Sequence, residues 1–415
     1  MAVEITFLLT AVYVATGLLR TRHSLSFYGF FYIFAFFFLV FAPYMQYTAN
    51  KVPWPIMQDS TFFQVNIVLL MCFILYDVVY YTSFNEKYNT VSMPSADYKL
   101  PNKGGILLLA INLLLGIFFL YKANFSLPNL LLRGGSAETE AMEISQSAGL
   151  IVGIMRIMFS LTAFVLIVMC KNKLIKLAGL AMLLFFCAPT ATARYFAATA
   201  YYPILVIMCP FLLKYRYAFT LIMSLSLLVV FPLLNLFRHA DSSEELAFFD
   251  QFTQLHFDSY ASLAFVWEND IISSGRQLLG VFLFWFPRSM WEDKPVGSGH
   301  WIATEHELFE GGFSNVSMNF MGEGYINFGM IGIVAFVIIL ALFSKKMDTV
   351  FWDRYKGDYH NFFSLYYLYL LPMSFFCLRG DLLSSGAYVC GISVFATVMI
   401  WICRKLVVVS FKKQS

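Results

Sequence analysis

The feature that most constrains this chain is a succession of apolar segments, each close to the length that crosses a lipid bilayer. Eleven such segments recur along the 415 residues. A membrane helix needs ~20 mostly apolar residues to cross a hydrocarbon core of ~30 Å. Hydrophobic residues make up 60% of the chain and charged residues only 13%, which is more apolar surface than a soluble core needs. We therefore predict an all-α polytopic integral membrane protein.

The predicted spans cover residues 5–19, 27–47, 62–81, 105–121, 150–170, 174–189, 196–213, 218–237, 325–343, 362–378 and 382–403. A twelfth apolar segment, 278–286, has about half the required length and ends at Pro287. We interpret it as a re-entrant or interfacial piece. The whole chain, 1–415, is expected to form a single membrane domain, with residues 238–323 as one large loop that carries amphipathic or re-entrant helices.

Basic residues orient the predicted spans, because cytoplasmic loops carry an excess of lysine and arginine. Of the 28 basic residues, eighteen fall in one set of alternate loops, nine fall in the other set, and Arg156 lies inside a span. This alternation predicts that the N-terminus and the loop 238–323 lie outside and that the C-terminus is cytoplasmic. The net charge of +3 is too small to indicate a nucleic-acid partner.

The longest polar stretch begins with Phe-Pro-Arg-Ser-Met-Trp-Glu-Asp-Lys-Pro at residues 286–295. Its two cations, Arg288 and Lys294, are flanked by stiff prolines and have Trp291 between them. Arginine binds phosphate oxygens with two parallel hydrogen bonds, and an aromatic ring stacks on the apolar face of a sugar. This pattern favours a phosphorylated sugar as the ligand.

Other cations lie at predicted outer helix ends, against the insertion bias. Arg194 either reaches lipid headgroups or binds an anionic substrate, and Arg238 opens the large loop. Arg379 and Asp381, in the tight link between the last two spans, either satisfy each other and the helix ends or form a second positive site that faces the loop. Arg156 is expected to have an internal partner or to line a water-filled cavity.

Two residues are candidates for a base that accepts the proton of a sugar hydroxyl. His300 has a side-chain pKa that is ordinarily near neutrality, and Glu323 stands between two glycines that would let a ligand approach the backbone. Glu323 is otherwise an ordinary residue at a helix start. His300 and His306 are not at the i, i+4 spacing of a helical zinc pair, so we expect no metal. The chain also lacks a nucleotide-binding motif, so an activated donor would have to be in the membrane already.

At these residues the chain resembles the Wzy-type polymerases of O-antigen and other oligosaccharide repeat units. The resemblance rests on 286–295, on Gly-Glu-Gly-Tyr-Ile-Asn-Phe-Gly at 322–329, and on Leu-Arg-Gly-Asp at 378–381. It covers a few dozen residues on a polytopic scaffold with one large outer loop. Position 292 is Glu where related chains often carry Pro.

The resemblance implies a GT-C-like glycosyltransferase of the bacterial inner membrane that works without a cofactor at the periplasmic face. Both donor and acceptor would be oligosaccharides linked to undecaprenyl pyrophosphate, and a chain-length regulator and a flippase would be possible partners. Arg288 and Lys294 would bind donor pyrophosphate or sugar, and Arg379 would support the leaving group. Arg288 would also act in catalysis beside Glu323 or His300, while Arg194, Arg238, Trp291, Tyr325 and Asp381 would complete the binding site.

Three other functions remain open at this point. An O-antigen ligase would share the scaffold and the arginines but would need an acceptor glycolipid. A flippase or another transporter would place ionisable residues along a central path, whereas here the polar residues are concentrated on one face. A non-catalytic assembly subunit would tolerate the loss of Arg288.

Overall fold

The computed structural model describes residues 1–52, 57–83, 96–122, 124–127, 131, 153–230, 248–306, 308, 316–355, 358–359, 361–406 and 408–411. These residues are predominantly helical. The contacts of the chain group into two compact units. Unit 1 comprises Met1–Glu86, Pro210–Asp348 and Ser374–Ala387, and unit 2 comprises Lys87–Cys209, Thr349–Met373 and Tyr388–Ser415.

The helices in chain order are α1 (Ala2–Arg20), α2 (Phe27–Thr48), α3 (Asp59–Thr82), α4 (Asn102–Lys122), α5 (Ile157–Met169), α6 (Lys173–Phe186), α7 (Arg194–Met208), α8 (Ala218–Leu225), α9 (Ser259–Glu268), α10 (Arg276–Phe282), α11 (Ser298–Glu305), α12 (Phe320–Val350), α13 (Phe362–Arg379) and α14 (Leu382–Leu406). Helix α2 contains a π-helical stretch, Ala35–Phe41, and α8 and α12 continue into π-helical turns at Ser226–Val230 and Phe351–Tyr355. Short helical turns lie at Phe211–Lys214, Phe248–Thr253 and Leu255–Phe257.

Within the described ranges, six helices are long and apolar enough to cross a membrane. They are Ala2–Arg20, Phe27–Thr48, Asp59–Thr82, Asn102–Lys122, Phe320–Tyr355 and Leu382–Leu406. Each of the other predicted spans also contains a helix, but a shorter one. The all-helical membrane character of the sequence prediction is therefore compatible with the structure, whereas the number of spans stays a prediction.

Unit 1 is built around α2, whose apolar residues are almost all buried. Phe31 of α2 stacks on Tyr76 of α3 with ring centroids 4.1 Å apart. The π-helical stretch changes which residues face each neighbour, because it adds one residue to a turn. Ser26 begins α2 by accepting a hydrogen bond from the backbone N–H of Gly29, as a serine N-cap does.

One buried carboxylate, that of Asp77, joins helices of unit 1. Asp77 accepts hydrogen bonds from the hydroxyls of Tyr13, Tyr28 and Tyr32 at 2.7–3.0 Å and pairs with Arg20 at 2.6 Å. Every lone pair that Asp77 loses from water is thus replaced, which is what burial of a charge requires. Asp77 therefore has a structural role within this unit.

Unit 2 packs α4, α5 and α6 closely through glycines. A methyl group added at Gly116 would lie 2.4 Å from the ring of Phe186, and one at Gly179 would lie 2.7 Å from Leu166. Asn112 donates a hydrogen bond to Thr162 across the α4–α5 contact at 2.6 Å. Small residues and buried polar pairs of this kind are typical of helix packing in membranes.

Two short strands in unit 2 had no counterpart in the sequence prediction. Strands β1 (Ala96–Lys99) and β2 (Val408–Phe411) pair in antiparallel fashion, with Ala96 opposite Phe411. Both flank apolar helices and are only four residues long. Strands this short are hard to recognise locally, since their pairing is set by the partner strand and not by the pattern.

The large loop of unit 1 differs from expectation in one respect. Amphipathic or re-entrant helices were expected in this loop, but its aromatic residues Phe252 and Phe257 are fully buried. They pack on Phe41 and Phe38 of α2, with centroids 5.0 and 4.9 Å apart. These rings therefore anchor the loop to the helices instead of lying on lipid. The half-length apolar segment forms only the seven-residue α10, far below the ~20 residues of a span.

Candidate functional site

The motif at 322–329 makes a reversal near the start of α12. Phe328 and Gly329 depart from helical geometry, and Gly329 has φ +61°, a conformation that favours glycine. Gly324 before the reversal then lies directly against Gly332 after it, because a methyl group at Gly332 would overlap the carbonyl oxygen of Gly324. The glycines beside Glu323 thus serve chain packing, and Gly324 is covered by backbone where the sequence analysis expected a ligand.

Glu323 is placed by this reversal in the interior of unit 1. Its residue is 1% exposed. One carboxylate oxygen accepts a hydrogen bond from the Ser298 hydroxyl at 2.9 Å, and the other accepts one from the backbone N–H of Leu382 at 2.8 Å. Ser298 and Leu382 are the first residues of α11 and α14, so the carboxylate lies at the positive ends of two helices. Glu323 therefore joins the loop helix α11 to the start of α14.

Asp381 forms a second buried carboxylate beside Glu323. Its Oδ1 accepts the backbone N–H of Ser384 at 2.8 Å, which caps α14, and a methyl group at Gly297 would lie 2.7 Å from the same oxygen. Burial raises the pKa of Asp381 above its ordinary value, although its hydrogen bonds to Ser384 oppose the shift. The backbone at Gly297 comes this close to the carboxylate because it carries no side chain.

Arg379 pairs with Asp258 and not with Asp381. The Arg379 Nη2 atom is 3.6 Å from Asp258 Oδ1, a distance too long for a hydrogen bond. Asp258 Oδ2 accepts the backbone N–H of Ser317 at 2.8 Å. Burial raises the pKa of Asp258, and the Arg379 charge counteracts part of this effect. Of the two alternatives for Arg379, mutual satisfaction with Asp381 is wrong, and the guanidinium faces a residue of the large loop.

The Arg379 guanidinium also keeps much of its hydrogen-bonding capacity. Its side chain is 32% exposed, and its charge lies over the ring of Phe38 at 5.6 Å. Its Nε atom is buried and, in the part of the chain that the structure describes, has no hydrogen-bond partner. A loosely paired guanidinium with uncommitted donors is suited to bind an oxyanion.

The two cations of the 286–295 stretch hold the loop in a fixed shape. Lys294 Nζ donates hydrogen bonds to the carbonyls of Phe284 and Phe286 at 2.5 and 2.9 Å, and Arg288 Nη1 donates to the carbonyl of Lys294 at 3.0 Å. Burial and the charge of Arg288 lower the pKa of Lys294. Arg288 remains exposed. It therefore stabilises the loop and still presents free N–H donors to solvent.

Prolines and glycines fix the position of this loop in unit 1. Pro295 is buried, and its ring lies 2.9 Å from where a methyl group at Gly280 of α10 would be. Leu383 of α14 lies 3.5 Å from the same point. Trp291 is half-buried within the loop. The loop is thus packed on the start of α14, the helix that Glu323 and Asp381 contact.

Two further candidates lie on neighbouring elements of unit 1. The Tyr325 hydroxyl donates to Asp270 at 2.8 Å, and its ring packs on Trp267 at 5.2 Å, so this tyrosine is mostly enclosed by protein. His300 lies half-exposed on α11, two residues after Ser298. Residues two apart on a helix do not face together, so His300 and the serine that holds Glu323 point in different directions.

The remaining two cations cannot be assigned to this cluster. Arg194 is the first residue of α7 and belongs to unit 2. Arg238 lies outside the described residues. The structure thus collects Arg288, Lys294, Arg379, Glu323, Asp381 and their neighbours in one unit.

Asp258 and Ser298 are the contributors that sequence reasoning missed. Asp258 lies just before α9 and pairs with Arg379, although nothing in its sequence context singled it out as a site residue. An aspartate just before a helix is a start signal, but nothing local indicates that its carboxylate also meets an arginine 121 positions later. Ser298 follows Gly297 at the start of α11, where its partner, Glu323, was visible only after folding.

The arrangement combines exposed cations with enclosed carboxylates. Within the described ranges, no group of three or more His, Cys, Asp or Glu side chains could hold a metal ion. The cations can bind an anionic group, and the carboxylates keep α11, α14 and the intervening loop in register. The sequence matches no protein-family model, no curated protein and no solved structure, so the resemblance to the repeat unit polymerases depends on the quoted motifs alone.

Proposed function

We propose that this protein is a GT-C-like glycosyltransferase of the bacterial inner membrane that polymerises oligosaccharide repeat units linked to undecaprenyl pyrophosphate. In this proposal eleven helices span the membrane and the loop 238–323 is periplasmic. The observation that carries the proposal is the Arg379 guanidinium, which is a third exposed and only loosely paired. It lies in the same unit as the loop cations Arg288 and Lys294.

The proposed reaction transfers the growing chain to a new unit. A hydroxyl oxygen of the non-reducing-end sugar of the acceptor forms a bond to the anomeric carbon of the donor. The bond between that carbon and the pyrophosphate oxygen breaks, and undecaprenyl pyrophosphate leaves. Positioned cations lower the barrier because they stabilise charge that develops on the leaving group. Arg379 and Arg288 supply these cations in our proposal.

The contacts of the two candidate bases suggest different roles for them. Glu323 is enclosed and already accepts two hydrogen bonds, so we assign it the positioning of α11 against α14. His300 is half-exposed on α11, and histidine is the side chain that most often serves as a general base. We therefore propose His300 as the base that receives the proton of the acceptor hydroxyl. For this role the acceptor hydroxyl must bind within hydrogen-bonding distance of the His300 imidazole.

The test is the surface polysaccharide of the native host carrying Arg379→Ala. We expect the long-chain ladder to disappear while a single repeat unit still caps the core, since export and ligation do not need polymerisation. The matched control is Arg404→Gln, which removes an exposed arginine from the last turn of α14 and should leave the ladder intact. Loss of both the ladder and the single-unit cap would contradict the proposal and indicate a ligase or a flippase.

A second variant separates binding from folding. Asp258 would be left without its cation in Arg379→Ala, so the double variant Arg379→Ala with Asp258→Asn removes that buried charge as well. The double variant should reach normal membrane levels and still lack the ladder. A restored ladder would mean that Arg379 serves only to neutralise Asp258.

A further inference from the structure

Arg156 of unit 2 lies at a break in the fifth predicted span. Its backbone N–H bonds to the carbonyl of Gly153, and its own carbonyl accepts from Phe159 N–H at 3.2 Å. These three-residue spacings mark a tighter turn than the α-helix that follows. The same carbonyl also accepts the thiol of Cys187 at 3.3 Å. Hydrogen bonds therefore hold the backbone of Arg156 in place, and its side chain extends from the turn.

The guanidinium of Arg156 has no anionic partner in the part of unit 2 that the structure describes. Its Nε atom is buried and makes no hydrogen bond. Its charge lies over the ring of Phe119, with 5.3 Å between the guanidinium carbon and the ring centroid. A ring face attracts a cation more weakly than a carboxylate does, and a buried charge without a counter-ion is unfavourable. The sequence analysis expected an internal pair or a water-lined cavity, and no internal pair is present among the described residues.

The surroundings of Arg156 carry hydroxyl groups and positive potential. The Tyr388 hydroxyl lies 2.9 Å from where a methyl group at Gly153, three residues before Arg156, would be. The ring of Tyr388 contacts that of Tyr195 at 5.5 Å. Tyr195 is the second residue of α7, which begins at Arg194 without a side-chain cap from Ala193. An uncapped helix start is positively polarised, so the features around Tyr388 attract an anion.

We propose that this end of unit 2 binds a phosphate or pyrophosphate group carried by a lipid, with Arg156 as its main counter-ion. Tyr388 donates a hydrogen bond to the bound group, and the start of α7 contributes positive potential. The chemistry fits two sources, an isoprenoid pyrophosphate or a phospholipid headgroup. The site goes beyond the proposed glycosyl transfer, because lipid binding at Arg156 requires neither Arg379 nor Arg288.

The test measures ligand binding to the full chain in phosphatidylcholine nanodiscs. Farnesyl pyrophosphate is the isoprenoid probe, and phosphatidylglycerol mixed into the disc is the phospholipid probe. Each is titrated against a protein that carries both Arg379→Ala and Arg288→Ala, so that neither proposed catalytic cation contributes. Arg156→Met is then compared with the control Arg404→Gln, which removes an exposed arginine from the same unit.

We expect Arg156→Met to raise the Kd of the bound probe by about tenfold or more, the usual effect of losing a charge-assisted hydrogen bond. Arg404→Gln should leave the Kd unchanged. The melting midpoint of ligand-free Arg156→Met should equal or exceed that of its parent, since an unpaired buried charge has been replaced by an apolar side chain of similar length. Preference for farnesyl pyrophosphate identifies an isoprenoid site, and preference for phosphatidylglycerol identifies a phospholipid site.

Two results would overturn the inference. One is an unchanged Kd for both probes in Arg156→Met. The other is a lowered ligand-free melting midpoint of Arg156→Met, which would make Arg156 an internal structural cation. Because binding is followed without glycosyl transfer, either result leaves the polymerase proposal to its own test.

Discussion

At the scale of single residues, the buried carboxylates and the arginines of unit 1 differ in how fully the protein satisfies their hydrogen-bonding groups. Glu323 and Asp381 are satisfied by helix N-termini and a serine, so their function is to hold elements in place. Arg379 and Arg288 retain donors that the protein does not use. We therefore propose that the two arginines bind substrate and that the two enclosed carboxylates position the helices.

Glu323 gives the first prediction at this scale. Glu323→Ala leaves the Ser298 hydroxyl and the Leu382 N–H without their acceptor, which should destabilise unit 1 by about 1–3 kcal/mol for each group that stays buried. Glu323→Gln keeps an acceptor for Leu382 and a polar partner for Ser298. We expect Gln to preserve most of the polymer ladder and the melting midpoint, and Ala to lose both.

The ladder is measured by gel analysis of the polysaccharide, and the melting midpoint by thermal unfolding of the purified Glu323→Gln and Glu323→Ala proteins. A Gln variant that is as stable as the wild type but inactive would contradict the positioning role. It would return Glu323 to the role of general base.

The Arg379–Asp258 pair predicts a dependence of stability on pH. Burial raises the pKa of Asp258 and Arg379 lowers it, so Arg379→Ala should raise this pKa further. A raised carboxyl pKa contributes stability at low pH that is lost as pH rises through the folded-state value. The deficit of Arg379→Ala relative to the wild type should therefore grow as pH rises through the raised folded-state pKa of Asp258, where the carboxyl ionises beside its arginine in the wild type but not in the variant.

The size of this deficit at neutral pH should stay below the roughly 3–5 kcal/mol of a fully buried pair, because Arg379 is partly exposed. Melting midpoints measured across the pH range make the test. Compared with Asp258→Asn alone, the double variant Arg379→Ala with Asp258→Asn should show a deficit that does not depend on pH. A deficit that is the same at every pH in Arg379→Ala would show that Asp258 does not sense the arginine.

At the scale of elements, the sequence predicted the helices well and the site only in part. Hydrophobic length alone located every predicted span on a helix, since apolar segments of that length satisfy their backbone groups internally. It could not show that α12 reverses at Phe328–Gly329 or that Phe252 and Phe257 return to pack on α2. Both depend on tertiary contacts between residues that are distant in the chain.

The same limit applied to the candidate residues. Polar residues between apolar segments are easy to find in the sequence. Five candidate site residues were identified in this way: Arg288, Lys294, Glu323, Arg379 and Asp381. Asp258 was not recognised as a partner, since a loop aspartate before a helix has an ordinary explanation. The glycines around Glu323 were identified as special, but the backbone that approaches Gly324 is that of Gly332.

The reversal in α12 predicts opposite effects for two glycine substitutions. Gly332→Ala would place a methyl group against the carbonyl of Gly324, and overpacking against backbone costs about 1–3 kcal/mol or more. Gly386→Ala in α14 would meet only the side chain of Val281 at 3.3 Å. Alanine also favours helix over glycine by up to about 1 kcal/mol.

We therefore expect Gly332→Ala to lower the melting midpoint and the polymer yield, and Gly386→Ala to leave both unchanged or to raise the midpoint. Thermal unfolding of the two purified variants decides the matter. Equal midpoints for the two would show that the two arms of α12 are not in close contact in the protein.

At the scale of the whole molecule, each of the two units carries arginines that we propose bind an anionic group. Unit 1 carries Arg288 and Arg379, and unit 2 carries Arg156. Arg288 and Arg379 belong to the nine basic residues on the side predicted to be outside, and Arg156 lies inside a predicted span. In the proposed function such cations bind the charged part of the lipid-linked substrate, which stays at the membrane surface.

The most direct measurement is polymerisation by the purified protein in proteoliposomes, with lipid-linked repeat units as the sole substrate. The account predicts a ladder of lipid-linked products, release of undecaprenyl pyrophosphate in step with chain growth, and neither result with Arg379→Ala. A wild-type protein that forms no ladder until an acceptor glycolipid is added, or that only moves the repeat units across the bilayer, would contradict it.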